Sequence, residues 1–145
     1  MPRKEIASNI DTKSALAPKV INTDTTTAGS IIDVATYDLG VTFLIISGVV
    51  TDGTYTPLIE HGDASNLSDA AAVTDADLYR RGVTSGQEAD AAFAAADDSK
   101  IKKISYLGAK RYVRLSLVSA TTTTGAVIGA IAIADPELKD VGDNA

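Results

Sequence analysis

The chain has no cysteine and no tryptophan, and its 145 residues include a single histidine. The lack of cysteine excludes disulfides, thiolate metal sites and thiol nucleophiles, and it fits synthesis in a reducing cytoplasm. The longest apolar stretches, Val41 to Val50 and Ala126 to Ala134, fall short of the roughly 20 residues that a membrane helix needs. No apolar signal-peptide region follows Met1. We therefore expect a soluble protein with no membrane partner that is not secreted by a standard signal.

Aromatic residues make up only 5% of the chain, so aliphatic and small side chains must supply most of the core. A chain of this length forms one domain and buries about two-thirds of its unfolded surface. Many of the apolar residues are Ala, which buries little area per residue. We expect a modestly stable monomer that gains further stability from neighbouring subunits.

Acidic and basic residues are segregated along the chain, whose net charge is -6. Residues 20–98 hold thirteen acidic and two basic residues, whereas residues 99–134 hold six basic residues and no acid. An acidic body disfavours binding to nucleic acid, which needs clustered positive charge. The basic block at 99–134 is the part of the chain suited to an acidic protein partner.

Short apolar stretches separated by turn residues predict an all-β sandwich or barrel of about seven or eight strands. The stretch from Gly40 to Ser47 has apolar residues at neighbouring positions, which is typical of a central strand covered on both faces. Pro18 and Pro57 cannot donate a ladder hydrogen bond, so each predicts an edge or bulged position.

Two hairpins are expected from the turn signals. Asp52-Gly53 is a tight-turn sequence and predicts pairing of strands near 44–51 and 54–61. The three-residue loop Gly108-Ala109-Lys110 predicts pairing of the two strands on either side of it.

One short helix is predicted from Gln87 to Ala96, since Ser85 and Glu88 have the spacing of a capping box. It follows the least regular part of the chain. We expect three parts in all: an extended N-terminal arm at 1–14, a β-sandwich domain at 15–135 and an acidic C-terminal tail at 136–145.

No residue pattern predicts catalysis, cofactor binding or metal binding. His61 is the single histidine, and Glu60 beside it would point to the opposite face of a strand. Asp63, Ser65 and Asp69 lack the alternating ligands and bidentate Glu of a calcium loop, which favours a solvated acidic loop. We therefore expect a protein that is not an enzyme and has no cofactor and no metal site.

Tyr106, Arg111 and Tyr112 have the composition of a stacking platform for single-stranded nucleic acid. The acidic body of the chain favours an ordinary strand face instead. We expect no nucleic-acid partner.

Basic residues at two places are candidate contacts with a partner. Arg3, Lys4 and Lys13 lie in the arm, which has no core of its own and is expected to become ordered on binding. Lys110 and Arg111 flank the tip of the second hairpin, where acids of the same chain are not expected to reach. We expect these two residues to meet acids of a neighbouring subunit.

Four segments share the pattern of one known family: Asp52 to Leu78, Ala17 to Asn22, Lys110 to Ser116 and the closing strand rich in Gly and Ala. Together they resemble the capsid decoration (cement) proteins of tailed bacteriophages over most of residues 15–134. The resemblance implies a jelly-roll-like sandwich that binds the outside of an icosahedral head and clamps neighbouring subunits of the major capsid protein.

The resemblance also implies a homodimer or homotrimer, located on the outer capsid surface of the virion and made in the host bacterial cytoplasm. Two other functions are compatible with a β-sandwich. One is a sugar-binding or adhesin-type module on the virion, and the other is a structural component of the head–tail junction.

Overall fold

Short stretches that are either alternating or continuously apolar form nine strands in the computed structural model, which describes residues 6–135. A four-residue helix, α1 (Gln87–Asp90), and 3₁₀ turns at Ala7–Asn9, Asp75–Asp77 and Ala95–Asp97 complete the regular structure of this part of the chain. The strands are β1 (Asp11–Ile21), β2 (Thr26–Asp33), β3 (Val41–Val50), β4 (Thr54–Gly62), β5 (Ala71–Ala72), β6 (Leu78–Tyr79), β7 (Ile101–Tyr106), β8 (Tyr112–Ala120) and β9 (Ala126–Ala134).

The strands form two antiparallel sheets packed as a sandwich. Sheet 1 has the order β1-β9-β3-β7-β6, and sheet 2 has the order β2-β8-β4-β5. Long strands that follow each other in sequence lie in opposite sheets, and this arrangement is that of a jelly roll. The predicted all-β, jelly-roll-like sandwich is confirmed, with nine strands rather than seven or eight.

Both predicted hairpins are wrong. Gly53 does form a tight turn with a φ of 84°, but the turn carries the chain from β3 in sheet 1 to β4 in sheet 2. The loop at Gly108-Ala109-Lys110 likewise carries the chain from β7 in sheet 1 to β8 in sheet 2. A turn sequence specifies only a local reversal, whereas the choice of sheet depends on which strands cover the core together.

Both prolines lie where one side of their strand has no neighbouring strand to form hydrogen bonds with. Pro18 is in β1, which is an edge strand of sheet 1, as predicted. Pro57 is in β4, whose partner β5 pairs only with Glu60 and His61, so β4 has a local edge at Pro57. The missing N–H therefore interrupts no ladder between strands.

The core lies between the two sheets and includes four fully buried aromatic side chains, Phe43, Tyr55, Phe93 and Tyr106. The aliphatic part comes chiefly from the inner faces of β3, β8 and β9. Its largest fully buried members are Val41, Ile45, Ile59, Ile104, Val113, Leu115, Leu117 and Ile128.

The predicted ten-residue helix is shorter than expected and begins with a different cap. Gly86, with a φ of 67°, occupies the N-cap of α1 and makes no side-chain cap, so the predicted Ser85 capping box is absent. The helix ends at Asp90 because the following residues return to β4, where Phe93 exchanges two backbone hydrogen bonds with Tyr55 at 2.9 Å each. Burial of Phe93 outweighs the helix preference of the Ala-rich sequence.

The segment after Phe93 closes the side of the sandwich between β4 and β3. The Ser47 hydroxyl donates to the Asp97 carbonyl at 2.6 Å, and the Asp98 carboxylate accepts the Val50 N–H at 2.7 Å. The segment thus joins the two sheets along their otherwise open side.

Strand β1 begins at Asp11, four residues before the predicted start of the domain. Residues 11–14, which include Lys13, pair with β9 rather than forming part of an arm. Of the rest of the predicted arm, residues 6–10 include the 3₁₀ turn Ala7–Asn9. Residues 1–5, with Arg3 and Lys4, and the predicted tail at 136–145 lie outside the described residues.

Candidate interaction surfaces

One end of the sandwich carries a depression of ≈ 580 Å³ between the 34–40 and 106–111 loops. Its two loops are joined by a hydrogen bond from the Val34 N–H to the Arg111 carbonyl at 2.9 Å. Leu39 and Leu107 project at its margin and are mostly exposed. The depression thus combines an apolar margin with the cations Lys110 and Arg111.

The structure pairs both of these cations with acids of the same chain. The Lys110 ammonium contacts the Asp63 carboxylate, and the Arg111 guanidinium donates to Asp33 with Nη2 at 2.9 Å and Nε at 3.1 Å from its oxygens. The premise that acids of the same chain do not reach this tip was therefore wrong. The two cations lie near Asp33, at the end of β2, and Asp63, just after β4. They do so because the connection between β7 and β8 crosses from sheet 1 to sheet 2.

These ion pairs shift the pKa values of the groups that form them. The hydrogen bond to Asp63 raises the pKa of Lys110, and the hydrogen bond from Arg111 lowers the pKa of Asp33. All four side chains are well exposed, so each pair stabilises the fold only weakly. Both cations therefore stay accessible to an acidic partner.

Lys13 lies at the same end of sheet 1 as this depression. Its Nζ is 5.6 Å from the centre of the Tyr37 ring, whose hydroxyl donates to the Asp11 carboxylate. Burial raises the pKa of Tyr37, and the hydrogen bond from Tyr37 lowers the pKa of Asp11. Of the candidate contact residues, Lys13 thus lies in β1 and both Lys110 and Arg111 lie in the connection between β7 and β8. Lys13 and Arg111 both lower the pKa of Asp33.

Glu60 and His61 face opposite sides of sheet 2, as predicted. Glu60 accepts a hydrogen bond from Arg114 on the outer face at 2.7 Å, whereas His61 Nδ1 lies 2.9 Å from the Tyr106 hydroxyl oxygen. That hydroxyl also accepts the Lys110 N–H at 3.1 Å, and burial raises the pKa of Tyr106. His61 and Tyr106 therefore hold the 106–111 loop in place.

The acidic loop after β4 is organised by its own side chains. Asp69 accepts the backbone N–H groups of Asp63 at 2.8 Å and Ala64 at 3.1 Å, and these bonds lower the pKa of Asp69. Within residues 6–135, no group of three or more His, Cys, Asp or Glu side chains is placed to hold a metal ion. No helix in this range is long and apolar enough to span a membrane.

The outer face of sheet 1 was not identified from the sequence. We define it by six residues whose side chains point away from sheet 2. Central strand β3 was expected to be covered on both faces, but its outer side chains are open to solvent. The residues and their exposed fractions are Val20 56%, Ile46 50%, Ile101 63%, Val127 43% and Ile131 46%, together with the half-buried Leu44.

These side chains are neighbours across the strands. Val20 lies opposite Val127, Leu44 lies opposite Ile131, and Ile46 lies opposite Ile101. The surface is therefore continuous across β1, β9, β3 and β7. The signal in the sequence is that β9 has no polar side chain, so that Val127, Ile131 and Ile133 make its outer face apolar as well as its inner one.

The outer face of sheet 2 has a different character. Arg114 and Glu60 pair at its centre, and Arg111 and Asp33 pair at its end. Tyr106 is buried in the core, so it cannot belong to a stacking platform with Arg111 and Tyr112. The outer face of sheet 2 thus carries paired charges beside the exposed Ile31 and Val118, whereas the outer face of sheet 1 carries a larger number of exposed aliphatic side chains.

The topology and surfaces define the chain as a jelly-roll β-sandwich with one apolar outer face. No protein-family model and no curated protein matches it. Among solved structures, the SPBc2 prophage-derived protein YomS is similar, with 13% sequence identity and a TM-score of 0.47. The similarity covers 88% of this chain and 95% of that chain.

Proposed function

We propose that the chain is a structural virion protein that binds the outer surface of an icosahedral phage head and clamps neighbouring subunits of the major capsid protein. In this proposal it is not an enzyme, and its partners are the major capsid protein and other copies of itself. The observation that carries the proposal is the jelly-roll topology, which agrees with the resemblance of residues 15–134 to decoration proteins.

The surfaces favour a protein partner over a sugar ligand. Three of the five Tyr side chains, Tyr37, Tyr55 and Tyr106, are buried, so they are not available to stack on a sugar ring. The exposed surface instead offers an aliphatic sheet face and cations at one end of the sandwich. Aliphatic patches of this kind mark contacts with other proteins.

The direct test is binding of the purified protein to heads that lack it. We expect co-sedimentation with the heads and a higher temperature of head disruption when the protein is bound. Heads that neither bind the protein nor gain stability from it would overturn the proposal.

A charge exchange tests the contribution of Lys110 to head binding. Lys110→Glu should slow association and make its rate less sensitive to salt, because rim charges act mainly on encounter. Combining Lys110→Glu with Asp63→Lys restores an internal ion pair but moves the positive charge. If Lys110 meets an acid of the capsid, the double variant should remain slow, whereas a return to the wild-type rate would show that the pair serves only the fold.

Deletion of residues 2–10 tests the N-terminal arm, with β1 left intact from Asp11. We expect weaker head binding and an unchanged thermal melt of the free protein, since the deleted segment ends before the first strand. Full head affinity in the deleted protein would exclude a role for Arg3 and Lys4.

A further inference from the structure

The strand β9 has apolar side chains on both of its faces, and Ile128 lies with three alanines on the inner face. Ala126, Ala130 and Ala132 are buried on the inner face, whereas Val127 and Ile131 are close to half exposed on the outer face. A strand that faces solvent on one side normally has polar residues there. The outer side chains of β9 are thus those expected of a strand covered on both faces.

Pro18 and Gly129 extend this surface across the edge of the sheet. A Cβ at Gly129 would lie 2.8 Å from the Pro18 ring, so the absence of a side chain lets the proline lie against β9. Together with the pairing of Val20 and Val127, this contact makes the surface continuous to the edge strand β1.

From these contacts we infer that the outer face of sheet 1 packs against the same face of a second copy of this chain. The inference deepens the self-association in the proposed function. It does not require that the protein bind a head.

The size of the face suits a reversible dimer. Four strands at about 4.8 Å spacing and nine residues at about 3.3 Å each give a face of roughly 19 Å by 30 Å, or about 600 Å². A stable interface buries about 800 Å² per partner and weaker ones about 600 Å². Because a corrugated surface has more accessible area than its outline, this face reaches the range of a specific dimer.

The charge distribution favours a second copy at this face over any other part of the surface. The chain has a net charge of -6, so two copies repel each other. Among the described residues, no acidic side chain lies on the outer face of sheet 1, where Lys103 lies opposite Leu44. Contact through this face therefore keeps the carboxylates of the two copies apart.

The geometry also fits. Two sheets of the same twist can pack face to face at about 10 Å, the usual spacing of a β-sandwich. A two-fold axis through the face would place each aliphatic residue against the same surface of the partner, which is the arrangement of an isologous dimer.

Sedimentation equilibrium tests the dimer, with two double variants matched in charge and chemistry. Ile46→Lys with Ile131→Lys places two cations in the outer face of sheet 1, and Ile31→Lys with Val118→Lys does the same on the outer face of sheet 2. We expect the wild type and the sheet 2 variant to dimerise with a dissociation constant of about 1–100 µM. The sheet 1 variant should remain monomeric.

Ile46→Thr with Ile131→Thr provides a second variant that keeps β-branched side chains and adds no charge. We expect it to melt as a folded protein and to dimerise at least about tenfold more weakly than the wild type. A wild type that stays monomeric, or two lysine variants that associate equally, would overturn the inference. A monomeric wild type whose head binding is lost in the sheet 1 variant would assign this face to the capsid instead.

Discussion

The Glu88 carboxylate accepts the backbone N–H of Ile59 at 2.6 Å. This bond joins α1 to β4 at the point where β4 has no strand beside it to accept that N–H. Burial raises the pKa of Glu88, and the bond from Ile59 partly offsets the effect. The residue expected to cap a helix thus completes the hydrogen bonding of a strand edge.

Replacing Glu88 separates its charge from its acceptor role. Since the pKa of Glu88 is raised in the folded state, its contribution to stability is present at low pH and is lost as pH rises through the folded value. At neutral pH, Glu88→Gln should therefore be as stable as the wild type or more stable. Glu88→Ala leaves the Ile59 N–H without its acceptor and should cost about 1–3 kcal/mol in urea unfolding. Equal losses in both variants would contradict this role.

Gly125 is required both by its backbone conformation and by its surroundings. It has a φ of 90°, and a Cβ there would lie 2.0 Å from the Ile21 carbonyl oxygen. Gly125→Ala should destabilise the protein by about 3–4 kcal/mol, whereas Gly82→Ala should cost about 1 kcal/mol. Gly82 has a similar φ of 83° but no atom within 4 Å of the added Cβ, so the difference measures the steric contact. Chemical denaturation of both variants tests the difference, and equal losses would disprove it.

Phe93 should be among the most sensitive residues in the chain. Its side chain is fully buried between the two sheets, beneath the Lys102 ammonium at 5.0 Å from the ring centre. Phe93→Ala should lower the free energy of unfolding by about 3–5 kcal/mol. The exposed Leu39 is the control, and Leu39→Ala should change the stability by less than about 0.5 kcal/mol. A thermal melt of Phe93→Ala that matches the control would contradict the view that the segment around Phe93 closes the side of the sandwich.

Asp52 should make stability depend on pH in acid. Its carboxylate accepts the N–H groups of Thr123, Thr124 and Gly125 at 2.9–3.0 Å, and these bonds lower its pKa. Because the folded pKa lies below the unfolded value of about 3.9, this stability is present above that value and is lost as pH falls through the folded pKa.

The test is a series of urea melts between neutral pH and acid. Asp52→Asn should be less stable than the wild type at neutral pH and should lose less stability on acidification. Asp38→Asn removes an exposed carboxylate at the other end of the sandwich and controls for net charge. An acid dependence in Asp52→Asn that equals that of the wild type would refute the assignment.

Features that depend on near neighbours in the chain could be predicted from the sequence. The alternation of residue types predicts strands because side chains in a strand point to opposite faces. Pro18 predicts an edge because a residue without an N–H cannot bond on both sides. The opposite orientations of Glu60 and His61 follow from the same period of two. The all-β sandwich was therefore determined by the sequence itself.

Only the tertiary structure decided which sheet each strand joins. The turns at Gly53 and Gly108 have the residues of a hairpin, but the strands on either side of each turn pair with distant strands and cover the core from opposite sheets. The same long-range pairing brings Asp33 and Asp63 to Arg111 and Lys110. It also decides which of the two apolar faces of β9 is buried. The alternation of side chains along a strand defines its two faces, but only packing against sheet 2 determines which face is covered.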